Sequence, residues 1–361
     1  MALRDSSGGG GNDMAMTSIS SKAGLIASKA ALIALVLCGA ALAGSPGPWE
    51  RDSEASAPYA AIRVLDTDRM PIESQRAGVS GWGSKLLYKQ PSGGGALHIL
   101  YTPPGVQGAY THYHTFHEWA YNIAGDFTNN EETSPEDVTG PEQRFREGNW
   151  LDRPPYSLHG GERGRMPWMA SQVGAVILIM EEADPSGQSF IVDPAVQKDP
   201  SLAKGMRYTE DWKKVQHWAT PRIIDTLDKM PWQPVAGVPG LNVKHLSDDP
   251  EHGFRANLWF LEAGANTPAM FRPQYYREAH VFDFLITGDL AATTYAGNPS
   301  SSRVQTFQLG KNFFVDRPPM SVFGLADGVA SKGGAVWLEV TYAKGTVWTS
   351  VPTHIEEPSF F

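Results

Sequence analysis

Short runs rich in aromatic and β-branched residues recur along the chain, each closed off by Gly, Pro or Asp. Ala96–Thr102, Glu118–Ala124 and Gly174–Met180 are three of them, and Ala256–Leu261, Val281–Thr287 and Ala335–Tyr342 are three more. Runs of this length and composition between turn residues predict strands, and no apolar period of 3.6 is sustained between them. Tyr208–Trp218 is an exception, where the spacing predicts a short helix. Regularly spaced short strands with turn signals imply an all-β chain built as barrels or jelly-roll sandwiches.

The same unit is written twice. Arg63-Val-Leu-Asp66-Thr…Met70-Pro71 matches Arg222-Ile-Ile-Asp225-Thr…Met230-Pro231, and Lys85, Pro91 and Gly105 match Lys244, Pro250 and Gly264 at an offset of 159. Farther on, His117…Gly125-Asp126 matches His280…Gly288-Asp289 at 163, and Asp152-Arg-Pro-Pro-x-Ser157-x-x-Gly160 matches Asp316-Arg-Pro-Pro-x-Ser321-x-x-Gly324 at 164. So small a drift reflects loop-length changes between two homologous domains, expected at 58–184 and 220–346. A connector, 185–219, joins them, and a tail, 347–361, follows. With 361 residues the chain is long enough for two such cores.

Residues 1–43 have a different character. Lys22 and Lys29 precede an apolar run from Ala30 to Ala43, which ends in Ala41-Leu42-Ala43 before Gly44. The run is 14 residues, short of the ~20 that span a bilayer as a helix. A positive start, a short apolar stretch and a small-x-small site predict a secretory signal peptide, then a linker at 44–57. The expected location is secreted or periplasmic, with no membrane span after cleavage. Cys38, the one cysteine, lies inside that run, so disulfides and cysteine-ligated zinc or iron–sulfur sites are excluded. With 30 basic against 39 acidic side chains, the chain carries no electrostatic footprint for nucleic acid.

His112, His114 and His117 fall within six positions and Glu118 follows at once. Residues i and i+2 of a strand point to one face, so His112 and His114 project together. Imidazoles plus one carboxylate suit a divalent first-row metal, and His159, just after Asp152-Arg153-Pro154-Pro155, is the candidate for a ligand from a distant strand. The pattern His112-x-His114-x3-Glu118-x6-Gly125, then Gly148-x5-Pro154-x4-His159, resembles the two-part motif of the cupin superfamily. Both repeats share the resemblance, so the chain is similar to a bicupin with two tandem double-stranded β-helix barrels. The resemblance implies one divalent transition metal held by His112, His114, Glu118 and His159, with iron first and manganese or zinc as alternatives. Val106, Tyr156 and Arg163 depart from the family's usual Gly, Gly and Asn, and none of these removes a ligand.

The second half acts as an internal control. At the ligand positions it carries Tyr275, Arg277, Val281 and Phe323, so the second barrel is expected to be metal-free. Asp152/Asp316, Arg153/Arg317 and Pro154/Pro318 persist without those ligands and read as architectural. His117, matched by His280, reads as structural rather than as a fifth ligand. Asn122 shares a strand face with Glu118 but is matched by Leu285; its amide either contacts a bound substrate or is satisfied by barrel backbone. Arg272, Tyr275 and Arg277 suggest an anion cup in the second barrel, against the simpler reading of a stiffening partner.

No catalytic triad is evident, and Gly93-Gly94-Gly95 lacks the Lys-Ser/Thr of a phosphate loop. Asp228-x-Met230-Pro231-Trp232…Gly240…Lys244-x-Leu246…Gly253…Ala263-Gly264 resembles the opening of ChrR-like cupins, which are similar to acetylacetone and dihydroxyacetophenone dioxygenases. That resemblance implies a dioxygenase-type oxidoreductase on a small oxygenated organic substrate. The alternatives are a redox-neutral manganese or zinc lyase or decarboxylase, and a non-catalytic metal-assisted binder of a sugar-acid-like molecule. Exposed barrel edges leave room for a homodimer.

Overall fold

Two of the expected strands form with the bounds that the pattern gives, Ala96–Thr102 and Ala335–Tyr342. A computed structural model describes residues 62–342, apart from 75–81, 90–94, 108–109, 133–141, 162–168, 200–205, 266–273, 276–278, 296–303 and 320–328, together with 353–354. The expected signal peptide and linker, Arg163, Arg272, Arg277 and Phe323 lie outside the described residues. Two large sheets dominate, one of twelve strands and one of nine. Among the described residues the only α-helix is Pro194–Lys198, and no helix is long and apolar enough to cross a membrane.

The strand expected at Glu118–Ala124 continues to Glu132. Its first part pairs with Ala175–Glu181 and Asn149–Arg153, its second with Glu142–Arg146 and Leu158–Gly160. His280–Tyr295 repeats this in the second half, pairing first with Ala335–Tyr342 and Phe313–Arg317, then with Val304–Gly310. Each long strand turns the corner of its barrel at a bulge followed by a glycine, Gly125 at φ +76° and Gly288 at φ +87°. A Cβ at either glycine would be driven into the carbonyl of Gly174 or Gly334. That close approach accounts for the repeated glycine.

Each half gives its opening strand to the sheet of the other. Arg63–Asp66 pairs with Phe313–Arg317, and Arg222–Asp225 pairs with Asn149–Arg153. The repeated residues fasten this exchange. Lys85 Nζ donates to Thr67 O at 2.7 Å, and Lys244 Nζ donates to Thr226 O at 2.5 Å. Arg63 Nε donates to Asp316 at 3.1 Å while Arg222 donates to Asp152 at 2.9 Å. His280 Nε2 and His117 Nε2 meet those same two carboxylates at 2.5 Å each. The duplicated Arg, Asp, Lys and His positions are thus the seam between the halves.

A core built from both halves lies behind the seam. Trp119, Trp150, Leu178 and Met180 from the first half pack with Phe254, Phe282, Phe314 and Leu338 from the second. Trp119 stacks on Phe254 with ring centroids 3.6 Å apart and planes 5° from parallel.

The helix expected at Tyr208–Trp218 does not form. Arg207–Tyr208 instead pairs in parallel with Phe190–Ile191, and only Asp211–Lys214 winds into a 3-10 turn with no buried residue. Trp212 and Trp218 are only partly buried against Tyr113, Leu158 and Val192, and a single four-residue turn cannot offset the cost of helix nucleation.

Candidate metal centre

His112 and His114 sit on the strand His112–His114, and Leu158–Gly160 lies alongside with His159 opposite His112. The i, i+2 rule and the antiparallel register therefore put three imidazoles on one inner face. One ring nitrogen from each lies within 4.8 Å of the others, and all three residues are buried. His112 and His159 are nearest, with ring centroids 4.1 Å apart.

The hydrogen bonds decide which nitrogens face inward. His112 Nδ1 meets Tyr110 O at 2.7 Å, His114 Nδ1 meets Ser189 Oγ at 2.8 Å, and His159 Nδ1 meets Ser157 O at 3.0 Å. A backbone carbonyl only accepts, so Nδ1 of His112 and His159 carries the proton and Nε2 keeps its lone pair. Ser189 is placed for His114 by the pairing of Ser189–Ile191 with His112–His114. Burial, then the neighbouring His114, pushes the His112 imidazole down to about 3. Burial followed by the Arg153 charge holds His159 well below the usual histidine range. Neutral rings with outward N–H groups anchored are the state in which imidazole binds a metal.

Glu118 stands at the edge of this group. Its Oε2 is 3.6 Å from His114 Nε2, while its Oε1 accepts from Arg153 Nη1. Arg153 is the cross-strand partner of Glu118 and reaches Glu131 with its other arm at 2.7 Å. Burial works against the guanidinium charge, but Glu131 and Glu118 outweigh it and raise its pKa. Glu131 is itself raised, because burial exceeds the help it gets from Arg153.

Of the residues singled out from sequence, His112, His114 and His159 converge, and Glu118 adjoins them through His114. Asn122 is buried and its amide donates to Phe145 O at 2.9 Å and Gly125 O at 3.3 Å, so barrel backbone takes up its nitrogen. Its Oδ1 has no partner. His117 turns to the seam and Asp152. Arg153, architectural by its repetition, also touches the centre through Glu118. In the second half Arg317 holds Asp283 and Glu339 instead, so one position serves two different ion-pair sets. Three imidazoles and one carboxylate fit one divalent transition metal.

No family model matches the chain, and no curated protein matches it. Solved structures do. An oxalate decarboxylase, from work on its substrate binding mode and reaction specificity, superposes with a TM-score of 0.52 at 15% identity over 87% of each chain. A proposed dioxygenase from Nostoc punctiforme gives 0.54 at 12% identity over 82% of this chain and 87% of that one. A point variant of the oxalate decarboxylase from Bacillus subtilis gives 0.50 at 16% identity over 84% and 86%. At these identities the likeness concerns architecture, and it agrees with the repeat, the two sheets and the histidine spacing: the chain has the bicupin fold of the cupin superfamily.

Proposed function

We infer that the chain is an exported metal-dependent enzyme with one working centre, in the first barrel. His112, His114, His159 and Glu118 hold a single divalent ion, and a small oxygenated organic substrate completes its coordination. The observation that carries this reading is the anchoring of three buried imidazoles through Nδ1, which brings one ring nitrogen of each into a converging donor set. A bound ion supplies Lewis-acid polarisation of substrate oxygens or, as iron, a place for O₂ beside the substrate. The chain's own residues fix the ligand rings, keep His112 and His159 neutral and hold the Glu118 carboxylate through Arg153. Dioxygenase-type chemistry is the leading reaction, resting on the sequence resemblance in the second half.

A redox-neutral decarboxylase or lyase is the second reading. It is favoured by the oxalate decarboxylase architecture and by export, since Fe(II) oxidises readily outside the cytoplasm. The deciding experiment is metal content of the exported protein, wild type and His114→Ala, followed by turnover assays. One iron per chain, lost in the variant, with O₂ uptake on enolisable diketones or hydroxyketones supports the dioxygenase. Manganese or zinc with CO₂ release and no O₂ uptake selects the decarboxylase. Tight retention of a chelating ligand without product turns the reading into a binding protein, and wild type without metal overturns all three.

A further inference from the structure

The seam between the halves carries a second donor cluster that the proposed centre does not use. His117, Asp249 and His252 each offer one ligand atom, and these atoms lie within 4.8 Å of one another. His117 comes from the first half, immediately before its long strand. Asp249 and His252 come from the turn between Leu241–Asp249 and Phe254–Leu261 in the second half.

The tautomer of His117 is set from one side. Its Nε2 lies 2.5 Å from Asp152 Oδ1, and Arg222 donates to the other oxygen of that carboxylate at 2.9 Å. Burial pulls the Asp152 carboxyl up, but His117 and Arg222 outweigh it and hold it below the usual range, so it is an ionised acceptor. Nε2 therefore donates, and in the neutral ring Nδ1 presents a lone pair. That Nδ1 is buried and has no hydrogen-bond partner. Its nearest charged neighbour is Asp249 Oδ2 at 3.5 Å, a second acceptor. With the ring neutral, these are two acceptors facing each other at the rim of the seam, a pair that a cation would bridge.

The surroundings are built for one. His117 is fixed in plane by Trp119, stacked at 4.1 Å with planes 12° apart. Asp249 is oriented by its own turn, where Oδ1 accepts from His252 N at 3.1 Å and Oδ2 meets His252 Nδ1 at 2.8 Å. The Asp249 and His252 side chains are 20% and 24% exposed, so an ion can reach them. A carboxylate behind a histidine that faces a metal is the usual means of orienting such a ligand. Two imidazoles, one carboxylate and an open position for water suit tetrahedral zinc.

The internal repeat supplies the contrast. His280 makes the same 2.5 Å contact with Asp316 on the other seam, with Tyr88 against its ring. In the sequence, the offset of 159 aligns Asp249 and His252 with Gln90 and Gly93, which lie outside the described residues. The clasp histidine is repeated in both halves, whereas the sequence carries the two extra donors in only one. We propose that His117, Asp249 and His252 form a second divalent-cation site of zinc type that ties the second half to the first barrel.

Zinc itself is the probe, titrated against a chromophoric chelator into the full-length, metal-stripped chain. Wild type should take two equivalents. Asp249→Asn and His252→Gln should each take one, with folding checked by near-UV circular dichroism, and His114→Ala should retain the seam equivalent. Cobalt substituted into His114→Ala should give the intense visible bands of a tetrahedral site. If wild type takes one equivalent that His114→Ala keeps and Asp249→Asn loses, the seam site stands and the proposed centre falls. Unchanged zinc uptake in both seam variants, or a zinc-free His114→Ala, overturns the proposal and leaves a hydrogen-bond network only.

Discussion

Arg153 is 4% exposed between Glu118 and Glu131, and its replacement by methionine removes a buried cation while keeping an apolar stem of similar length. Breaking a buried ion pair from one side costs about 3–5 kcal/mol, because the remaining charge is left uncompensated. Here two carboxyls are left, and burial already raises Glu131 with the guanidinium in place. Losing the guanidinium removes the one influence that lowers Glu131 and so pushes it further up. The sign follows from the direction. A carboxyl whose folded pKa is raised favours the folded state fully below its unfolded value of ~4.3, and stability falls as pH rises through the folded value. The gap between wild type and Arg153→Met should therefore be small near pH 4.5 and reach about 3–5 kcal/mol at pH 8. Urea unfolding of metal-stripped protein, followed by tryptophan fluorescence and circular dichroism at both pH values, measures it. A divalent ion should narrow the gap at pH 8 by placing a cation against Glu118. A gap below about 1 kcal/mol, or one that does not change with pH, would refute the reasoning.

Phe254→Ala empties the space against Trp119 in the shared core and should cost about 3–5 kcal/mol; because both halves contribute to that core, unfolding should stay a single transition, and two separated transitions would count against it. Gly125→Ala should cost well over 2 kcal/mol, whereas Gly105→Ala, at nearly the same φ but with nothing within 4 Å of its Cβ, should cost only about 1–2 kcal/mol. Thermal melts of the two variants compare the carbonyl clash with the backbone strain alone. Burial and the nearby Glu339 push the Asp283 carboxyl up to about 7 against the pull of Arg317. Wild-type stability should accordingly fall as pH rises from about 4 to about 7, and Asp283→Asn should flatten that fall in urea melts across the range.

How much of the fold is legible in the sequence depends on whether the signal is local. The edges of Ala96–Thr102 and Ala335–Tyr342 are written in composition and flanking turns. Glu118–Ala124 precedes a Gly-Asp pair that reads as a stop, yet the strand bends there and continues. A positive φ at Gly125 and a one-residue bulge redirect it without breaking it. The three converging histidines are legible because strand period and motif spacing are both short-range rules. The exchange of opening strands is not, since a repeat says that two units are equal but not which sheet each strand joins. Repetition also conceals Arg153. Its recurrence as Arg317 argues for a purely architectural role, but the partners differ, and only the first copy has a glutamate of the centre opposite it.

Strand exchange also gives a barrel without the motif ligands a structural role beside the one that carries them. Asn149–Arg153 lies between Glu118–Glu132 on one side and Arg222–Asp225, from the second half, on the other. Asp152 and Arg153 occupy adjacent positions on that middle strand, and their side chains point to opposite faces. Asp152 faces the seam, where Arg222 and His117 hold it; Arg153 faces inward, where it holds Glu118 and Glu131. The register that aligns Arg222 with Asp152 thereby also fixes the height of Arg153 against Glu118. The second half thus acts on the centre through a backbone ladder rather than through a ligand, which requires its strand and its arginine but none of the metal-binding residues it lacks.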